Sequence, residues 1–316
     1  MSPFPFPNAA TELAGKVDWL FLGLILISTF YMALIFGPMI YFLFKYRRGK
    51  KADRSSIRIH TWKVEVVWTV IPFLMMMGLF GWAADLYYQI ERPPADALEA
   101  FVVGKQWMWK LQHAEGNREI NELHLPLGQT IKLTMTSEDV IHSFFIPAFR
   151  IKQDVVPGRY VTEWFRPAKI GTYHLFCAEY CGSDHSLMGG NVIVMKPEDY
   201  AAWLVAGAPR DNLAAAGERL FRDLGCSGCH VGSSVMRAPR LEGVYGGPVP
   251  LASGDVAIAD DQYIRDCILL PASQRVAGYS PLMPTFQGRV SEEQIIQLIA
   301  YIRSLASKRP PEEMNK

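Results

Sequence analysis

The segment from Cys177 to Met188 reads CAEYCGSDHSLM, and its chemistry decides how the surrounding domain is interpreted. It places two thiols, one imidazole and one thioether within twelve residues, and His142 lies thirty-five positions upstream. Sulfur beside imidazole favours copper over magnesium, calcium or manganese. A single blue-copper ion needs only one Cys, two His and a weakly bound Met, so the second thiol suggests a two-copper centre. Zinc is the alternative, because two Cys and two His also form a zinc ligand set.

A second motif, Cys226-Ser-Gly-Cys229-His230, has the C-x-x-C-H spacing of a c-type haem attachment site. Two thiols one helical turn apart can add to the two vinyl groups of haem, and the adjacent His230 then faces the iron. For these five residues alone, a thioredoxin-like C-x-x-C or half of a zinc site would be the alternative. The amphipathic segment before the motif and the helix at the end of the chain favour the small cytochrome.

The haem iron needs a sixth ligand, and Met283 is the predicted one, since His/Met ligation is typical of cytochromes c and raises the haem potential. Met236 is the competitor, but it lies only six residues after His230, too near to reach the other haem face. The carbonyl of Pro239 is predicted to accept the second ring N–H of His230 and so to orient the ring.

Two long apolar runs near the N-terminus predict a pair of membrane-spanning helices. Trp19–Phe44 has 26 uncharged residues and Val66–Ala84 has 19, whereas a span needs about 20. Two runs of this length so close together argue against buried core helices. We expect no removable signal peptide, because the first 18 residues lack a basic segment and the first run is too long.

The loop between the two runs sets their orientation, because it is strongly basic. The positive-inside rule places it in the cytoplasm, so the N-terminus and everything after Tyr88 lie on the other side. A basic cluster can also bind nucleic acid or lipid. Between two spans the topological role is favoured, and no nucleic-acid partner is expected. The loop carries Asp53 against Lys45, Arg47, Arg48, Lys50, Lys51, Arg54, Arg58 and Lys63.

The chain beyond the hairpin divides into a β-rich and a helical part. Short aromatic and β-branched runs separated by turn signals predict an antiparallel sandwich or Greek-key barrel. These runs are Ala100–Val103, Ile131–Thr136, Tyr160–Phe165, Tyr173–Phe176 and Asn191–Met195. Helices are predicted at Pro197–Val205, Asn212–Asp223, Asp260–Leu270 and Ser291–Ser304, the last with a capping box. The predicted order is an irregular N-terminus (1–18), a transmembrane hairpin (19–90), a β domain (91–206) and a helical cytochrome domain (210–308).

Together these features resemble subunit II of haem-copper cytochrome c oxidase, in the variant that carries a fused C-terminal cytochrome c domain. The resemblance covers nearly the whole chain and is carried by the C-x-E-x-C-G-x-x-H-x-x-M loop, by Val140–Arg150 and by Gly104–Trp109. Gln106, Trp107 and Trp109 match the family's aromatic patch, although Met108 stands where a tyrosine is usual. The implied fold is a two-helix transmembrane hairpin, an all-β cupredoxin Greek-key barrel and an all-α class I cytochrome c domain.

The resemblance also implies the ligands of a binuclear copper centre, CuA. Cys177 and Cys181 would bridge both coppers, and His142 and His185 would each bind one. Met188 and the backbone carbonyl of Glu179 would be weak axial ligands. The side chain of Glu179 would help to hold a magnesium ion at the contact with subunit I.

Two further roles follow from the resemblance. Trp107 matches the residue through which electrons reach the copper centre. Glu65 matches a glutamate at the mouth of a proton channel into subunit I, and ionisable groups at membrane depth are costly and usually functional. The alternative for Glu65 is a pairing with Lys63 or His60 in the hydrated interface.

The expected function is therefore the electron input of a respiratory oxidase. A soluble cytochrome c or another respiratory complex would reduce the haem, and electrons would pass through the copper centre to catalytic subunit I. There oxygen would be reduced to water while protons are pumped. The expected location is the bacterial inner membrane, with the N-terminus and both C-terminal domains on the periplasmic side. The alternatives are a nitric-oxide-reducing relative and a stand-alone membrane-anchored electron carrier or copper-delivery protein.

The remaining histidines and the fifth cysteine are predicted to be structural. His60, His113, His124 and His174 have no ligand partners in the sequence. Cys267 is predicted to be a small buried side chain in a helix.

Overall fold

The computed structural model describes residues 7–51, 61–207, 212–230 and 238–308. Within these residues the helices are α1 Glu12–Lys45, α2 Trp62–Ile90, α3 Pro197–Ala206, α4 Leu213–Asp223, α5 Ser227–His230, α6 Asp261–Leu269 and α7 Glu292–Ser304. The predictions for His60, Met236 and the basic-loop residues Asp53, Arg54 and Arg58 fall outside the described residues.

Helices α1 and α2 are both long and apolar enough to span a membrane. The expectation that residues 1–18 are irregular is wrong from Glu12 onward, because α1 begins there. The side chain of Thr11 accepts a hydrogen bond from the Ala14 amide and satisfies one of the free N–H groups at the helix start. The helix therefore starts about two turns before its uncharged run, since the charged side chains of Lys16 and Asp18 do not oppose helix formation.

Ten strands form two five-stranded sheets packed as a sandwich. They are β1 Leu98–Lys105, β2 Met108–His113, β3 Arg118–Ile120, β4 Glu122–Pro126, β5 Ile131–Ser137, β6 His142–Ile146, β7 Ile151–Val155, β8 Val161–Phe165, β9 Gly171–Cys177 and β10 Gly189–Met195. The sheet orders are β3-β2-β1-β5-β8 and β4-β10-β9-β6-β7. Inward-facing side chains fill the space between them, and Trp109, Phe144 and Phe165 are fully buried.

The cupredoxin-like sandwich is confirmed, but the expectation of an antiparallel arrangement holds for only part of it. Strand β1 pairs parallel with β5, and β10 pairs parallel with β4. Alternation of apolar and polar residues reports which face of a strand is buried and is the same for either strand direction. The short runs in the sequence therefore could not distinguish a parallel from an antiparallel partner.

The C-terminal domain packs α4, α6 and α7 around an apolar interior, together with a small hairpin of β11 Pro248–Pro250 and β12 Val256–Ile258. Asn212 and Asp260, predicted as first helical residues, are instead the N-caps of their helices. The capping box of Ser291 with Gln294 is confirmed. The β11–β12 hairpin was not predicted, because proline at both ends of a three-residue strand weakens its signal.

The cytochrome domain lies directly on the outer face of the first sheet. Phe101 and Val103 of β1 form one apolar cluster with Leu213 and Ile296 of the C-terminal domain. Beside this cluster, Nζ of Lys110 lies 2.7 Å from a carboxylate oxygen of Glu293 on α7. The two domains are thus joined by apolar contact and by charge.

Candidate copper and haem centres

The ends of strands and one loop at one edge of the sandwich bring five potential ligands together. They are His142 at the start of β6, Cys177 at the end of β9, Cys181 and His185 in the following loop, and Met188 just before β10. We call these five residues the sulfur–imidazole cluster. The loop closes on itself, because the Cys177 amide donates to the Met188 carbonyl at 3.0 Å. The β9–β10 pairing therefore fixes both ends of the loop.

The atoms of the cluster are close enough to share metal ions. The Sγ atoms of Cys177 and Cys181 are 3.8 Å apart, and Sγ of Cys181 is 3.4 Å from Nδ1 of His185. Nδ1 of His142 lies 4.0 Å from Sγ of Cys177. A metal with sulfur bonds of ~2.3 Å can contact two sulfurs up to about 4.6 Å apart. The five cysteines, all in described residues, are free thiols.

The weak axial ligands implied by the resemblance also lie at the cluster. The thioether sulfur of Met188 is 3.7 Å from Sγ of Cys181, and Met188 is buried. The carbonyl oxygen of Glu179 is 3.3 Å from Sγ of Cys177, whereas its side chain is exposed. One residue thus directs its backbone to the cluster and its carboxylate to the surface.

Asp139 orients the His142 ring, and it is a functional residue that the sequence reasoning missed. Its Oδ1 lies 2.8 Å from Nε2 of His142, which leaves Nδ1 directed toward Cys177. The Gln106 and Val140 amides donate to the same carboxylate and hold it in place. A carboxylate that fixes the tautomer of a metal-binding histidine is a recurrent feature of metal sites. An Asp three residues before the ligand is the signal that could have identified it.

The two thiols have different electrostatic surroundings. Burial opposes ionisation of Cys177, but its contacts with the His142 ring and the Ser143 backbone lower its pKa. Burial and the nearby charge of Cys177 raise the pKa of Cys181. Two thiolates this close need a cation between them. The donor set therefore fits a site for soft metal ions.

Trp107 lies half-buried against the loop that carries the cluster. The side-chain amide of Gln106 donates to the Cys181 carbonyl at 2.8 Å. Gly182 has a φ of +120°, and a Cβ there would lie 3.0 Å from Nε2 of Gln106 and 3.2 Å from the Trp107 ring. Only glycine therefore lets the Trp107 ring approach the loop so closely. Trp109, by contrast, is fully buried, with its ring 5.9 Å from that of His142.

The residues of the C-x-x-C-H motif line an apolar cavity of about 320 Å³ inside the C-terminal domain. Met283 lines the same cavity, so the structure brings the two predicted axial ligands together. Nδ1 of His230 lies 2.8 Å from the carbonyl oxygen of Pro239, which confirms the predicted orienting contact. The cavity's other walls are Phe221, Tyr263, Ile264, Leu298 and Ile302, among others. The chemistry and shape of this lining fit a covalently attached haem.

Cys267 also lines the haem cavity and packs against the core of the domain. Burial raises the pKa of its thiol, which keeps it protonated. Cys267 lies in α6, as predicted, but it is half-buried rather than fully buried, because it faces the cavity.

Glu65 lies far from these two sites in the fold. It is an exposed residue in the first turn of α2, whereas the sandwich follows the other end of that helix. Its carboxylate accepts a hydrogen bond from the Thr61 hydroxyl.

The other described histidines contact neighbouring side chains of the sandwich, and the ring of His124 lies within 4.8 Å of carboxylate oxygens of Glu119 and Glu122. Nε2 of His113 is 2.8 Å from a carboxylate oxygen of Glu119, and the ring of His124 bonds to the other oxygen. His174 is exposed on β9, with its ring edge against Phe176.

Comparison with known proteins gives a consistent result along the chain. The family model described as "Cytochrome C oxidase subunit II, transmembrane domain" matches residues 2–82. The model "Cytochrome C oxidase subunit II, periplasmic domain" matches 117–196, and the model "Cytochrome c" matches 214–306. The three matches follow the order of the hairpin, the sandwich and the helical domain.

Individual relatives carry the same description. The "Cytochrome c oxidase subunit 2" of Alkalihalophilus pseudofirmus is 28% identical over 92% of this chain and 88% of its own length. The "Alternative cytochrome c oxidase subunit 2" of Bradyrhizobium diazoefficiens is 31% identical over 55% of this chain and 73% of its own. The crystal structure of the periplasmic domain of subunit II from Bradyrhizobium japonicum is 30% identical, with a TM-score of 0.36, over 37% of this chain and 96% of that one. The chain belongs to the cytochrome c oxidase subunit II family, as a two-pass membrane subunit with a C-terminal cytochrome c domain.

Proposed function

We propose that this subunit is the electron input of a proton-pumping oxidase. It passes electrons from a donor through a covalent haem c and a binuclear CuA centre to catalytic subunit I, which reduces oxygen to water. One observation carries the proposal. Two buried thiols 3.8 Å apart lie among imidazoles and a thioether in one domain, and a C-x-x-C-H motif lines an apolar cavity of about 320 Å³ in the domain packed against it.

The sulfur–imidazole cluster would hold the two coppers. Cys177 and Cys181 would bridge them, His142 and His185 would each bind one, and Met188 and the Glu179 carbonyl would bind weakly. When bound, a copper pair supplies a one-electron redox couple. The contribution of the polypeptide is rigidity, since both ends of the loop belong to paired strands and Asp139 holds the His142 ring. A ligand set that cannot move suits repeated oxidation and reduction.

The C-terminal domain would hold the haem. Cys226 and Cys229 would form the two thioether bonds, and His230 and Met283 would be the axial ligands. The hydrogen bond from Nδ1 of His230 to the Pro239 carbonyl supports this assignment, because it leaves Nε2 free to bind iron. Haem held in this way supplies a second one-electron couple, with a potential raised by the thioether ligand.

Three residues at the surface would connect the subunit with its partners. Trp107 would receive electrons for the copper centre, and its contact with Gly182 of the copper loop supports this role. The exposed carboxylate of Glu179 would share a magnesium ion with subunit I, while its carbonyl faces Cys177. Glu65, exposed in the first turn of α2, would lie at the mouth of a proton channel.

The packing of the cytochrome domain on the sandwich supports transfer within one chain. Tethering replaces a diffusional encounter with an effective concentration in the millimolar range. The donor would be a soluble cytochrome c or another respiratory complex. The basic loop between α1 and α2 supports a cytoplasmic position for that loop, which would place both redox domains on the periplasmic side of a bacterial inner membrane.

Metal and haem analysis of the purified oxidase complex tests the proposal. The expected result is two coppers and one covalent haem c per copy of this chain, with an electron spin resonance signal shared by two coppers. Zinc at the cluster, or a Cys177–Cys181 disulfide in freshly isolated protein, would contradict it.

A further inference from the structure

A second cavity, of about 360 Å³, lies where the hairpin meets the sandwich. Its walls come from the first turns of α1, the last turn of α2, the linker after α2 and strand β8 with the residue that follows it. We call it the hairpin cavity. None of the roles proposed above uses it.

The hairpin cavity is lined by more positive than negative charge. Lys16, Arg92 and Arg166 line it, and Glu12 is the single carboxylate among its lining residues in the described part of the chain. Glu12 lies 4.0 Å from Arg166, a long contact between two partly exposed groups, and offsets only part of this charge. Three cations against one carboxylate favour an anionic occupant.

Two of the lining groups lack an anionic or hydrogen-bonding partner within the described part of the chain. The guanidinium of Arg92 lies 4.1 Å above the Tyr88 ring and forms no ion pair there. The indole Nε1 of Trp164 is buried, and no acceptor among the described residues receives its proton. A buried donor without an acceptor is costly, about 1–3 kcal/mol. Arg92 is therefore the lining cation available to an anionic occupant.

The depth of the cavity relative to the apolar runs indicates where these groups lie. Lys16 precedes Trp19, the first residue of the first uncharged run, by three residues, which is about 4.5 Å along a helix. Arg92 follows the last residue of α2, Ile90, by two. The headgroup layer on each side of a bilayer is roughly 5–8 Å thick. Of the three cations, Lys16 therefore lies at the level of lipid phosphates, and Arg92 lies farther from the hydrocarbon, eight residues after Ala84.

We propose that the hairpin cavity binds the phosphate headgroup of an anionic phospholipid. Arg92, Lys16 and Arg166 contact the phosphate, and Trp164 forms part of the wall beside it. The acyl chains run along the exposed apolar side chains of α1 and α2. The lipid would tie the hairpin to the sandwich at the point where the two are connected by a short linker.

The proposal is tested on the whole oxidase complex in mixed micelles of phosphatidylglycerol and phosphatidylcholine, with native mass spectrometry to count retained lipids. The variants Arg92→Gln and Trp164→Phe are compared with the natural chain. Arg118→Gln is the matched control, because Arg118 is an exposed cation on β3, at the opposite edge of the sheet from Trp164. Thermal melting checks that each variant is folded.

We expect Arg92→Gln to retain phosphatidylglycerol about fivefold less strongly, which is the effect of one basic residue at an anionic surface. Trp164→Phe, Arg92→Lys and Arg118→Gln bind as the natural chain does. Retention that persists in excess inorganic phosphate supports a lipid over a free anion. Equal retention by Arg92→Gln and the natural chain, displacement of the lipid by inorganic phosphate, or a cross-link from the cavity to an acidic segment of another subunit would each overturn the proposal.

Discussion

The sandwich and the cytochrome domain prepare their redox sites in different ways. In the sandwich, the ligands lie at strand ends and in a loop whose two ends are paired, and Asp139 holds His142 through a 2.8 Å contact. In the cytochrome domain, Met283 comes from an extended segment and Cys229 from a four-residue helix, and both face a cavity of about 320 Å³. The polypeptide alone arranges the first site, whereas the second needs its haem to fill the interior.

The loss of one bridging sulfur is expected to have the largest effect. Cys181→Ser removes a sulfur that lies within 4 Å of three other potential ligands, those of Cys177, His185 and Met188. We expect the two-copper spin resonance signal to disappear and oxygen consumption to fall to background. Cys267→Ser is the control, because that thiol lies in the other domain, and it should leave copper content unchanged. Normal copper stoichiometry in Cys181→Ser would contradict the assigned bridge.

Removal of the haem is expected to have the second-largest effect, because it should destabilise the cytochrome domain and leave the sandwich folded. Without haem, the apolar side chains around this cavity of about 320 Å³ lose the contacts that they make with the haem, and lost core contacts are destabilising. Typical domains are stable by only about 5–15 kcal/mol. We expect the double variant Cys226→Ser, Cys229→Ser to lose amide protection in α4, α6 and α7, while β1 to β10 stay protected.

Hydrogen exchange measured on the full chain reports the amide protection of the cytochrome domain and of the sandwich in one experiment. Copper removal is the matched control, and it should leave the protection of both domains in place. Unchanged protection of α4, α6 and α7 without haem would show that the cytochrome domain is also preformed.

Met283→Ala tests the iron ligand without removing the haem. Since a thioether ligand raises the haem potential, we expect the potential to fall on the order of 0.1 V, within the range of about 0.8 V that axial ligands cover. Haem-to-copper transfer should stall, which stopped-flow reduction can follow. Full oxygen consumption with an external donor would refute the assigned relay.

Asp139→Asn should weaken the copper site without unfolding it. The amide keeps the shape of the carboxylate but cannot favour the same His142 tautomer, and the loss of such a partner typically costs 10–100-fold in metal affinity. Competition with a copper chelator measures the change. Asp154→Asn is a suitable control, because Asp154 also lies in the second sheet but bonds to Ser143 and Lys152 rather than to a ligand. Equal copper affinity in both variants would show that Asp139 does not support copper binding.

The smallest expected effect concerns the contact between the two domains. Burial opposes ionisation of Glu293, but the hydrogen bond from Lys110 lowers the pKa of this carboxyl group to about 2, from an ordinary value of 4.5. The contribution of the Lys110–Glu293 ion pair to domain docking is therefore complete above about pH 4.5 and is lost as the pH falls toward 2. Both groups are partly exposed, so we expect only about 1 kcal/mol.

Spin-label distances between the two domains, measured as a function of pH, would follow this contact. Lys110→Met should loosen the docked position at neutral pH and abolish the acid-dependent change. A pH profile identical in the variant and the natural chain would show that the ion pair does not contribute.

The candidate ligands could be picked out from the sequence because the motifs that contain them are local. Two short motifs contain most of them, and such motifs can be recognised without knowledge of the fold. They are Cys177, Cys181 and His185 in one, and Cys226, Cys229 and His230 in the other. The Pro239 contact was predictable for the same reason. The membrane hairpin followed from the length of its uncharged runs.

The features that sequence reasoning missed depend on partners distant in the chain. The parallel pairing of β1 with β5 and the docking of Ile296 on Val103 join segments that no local pattern connects. Asp139 was missed because a surface acid three residues before a histidine is common, and only the folded loop shows which ring it contacts. The early start of α1 was missed because charged residues indicate where a helix leaves the membrane, and the helix itself can continue beyond that point.

Spin resonance combined with metal counting on the freshly isolated complex tests the central claim most directly. The account predicts two coppers per chain, with one unpaired electron shared equally between them and split by both nuclei. A single mononuclear copper signal, zinc in place of copper, or a disulfide between Cys177 and Cys181 would contradict it.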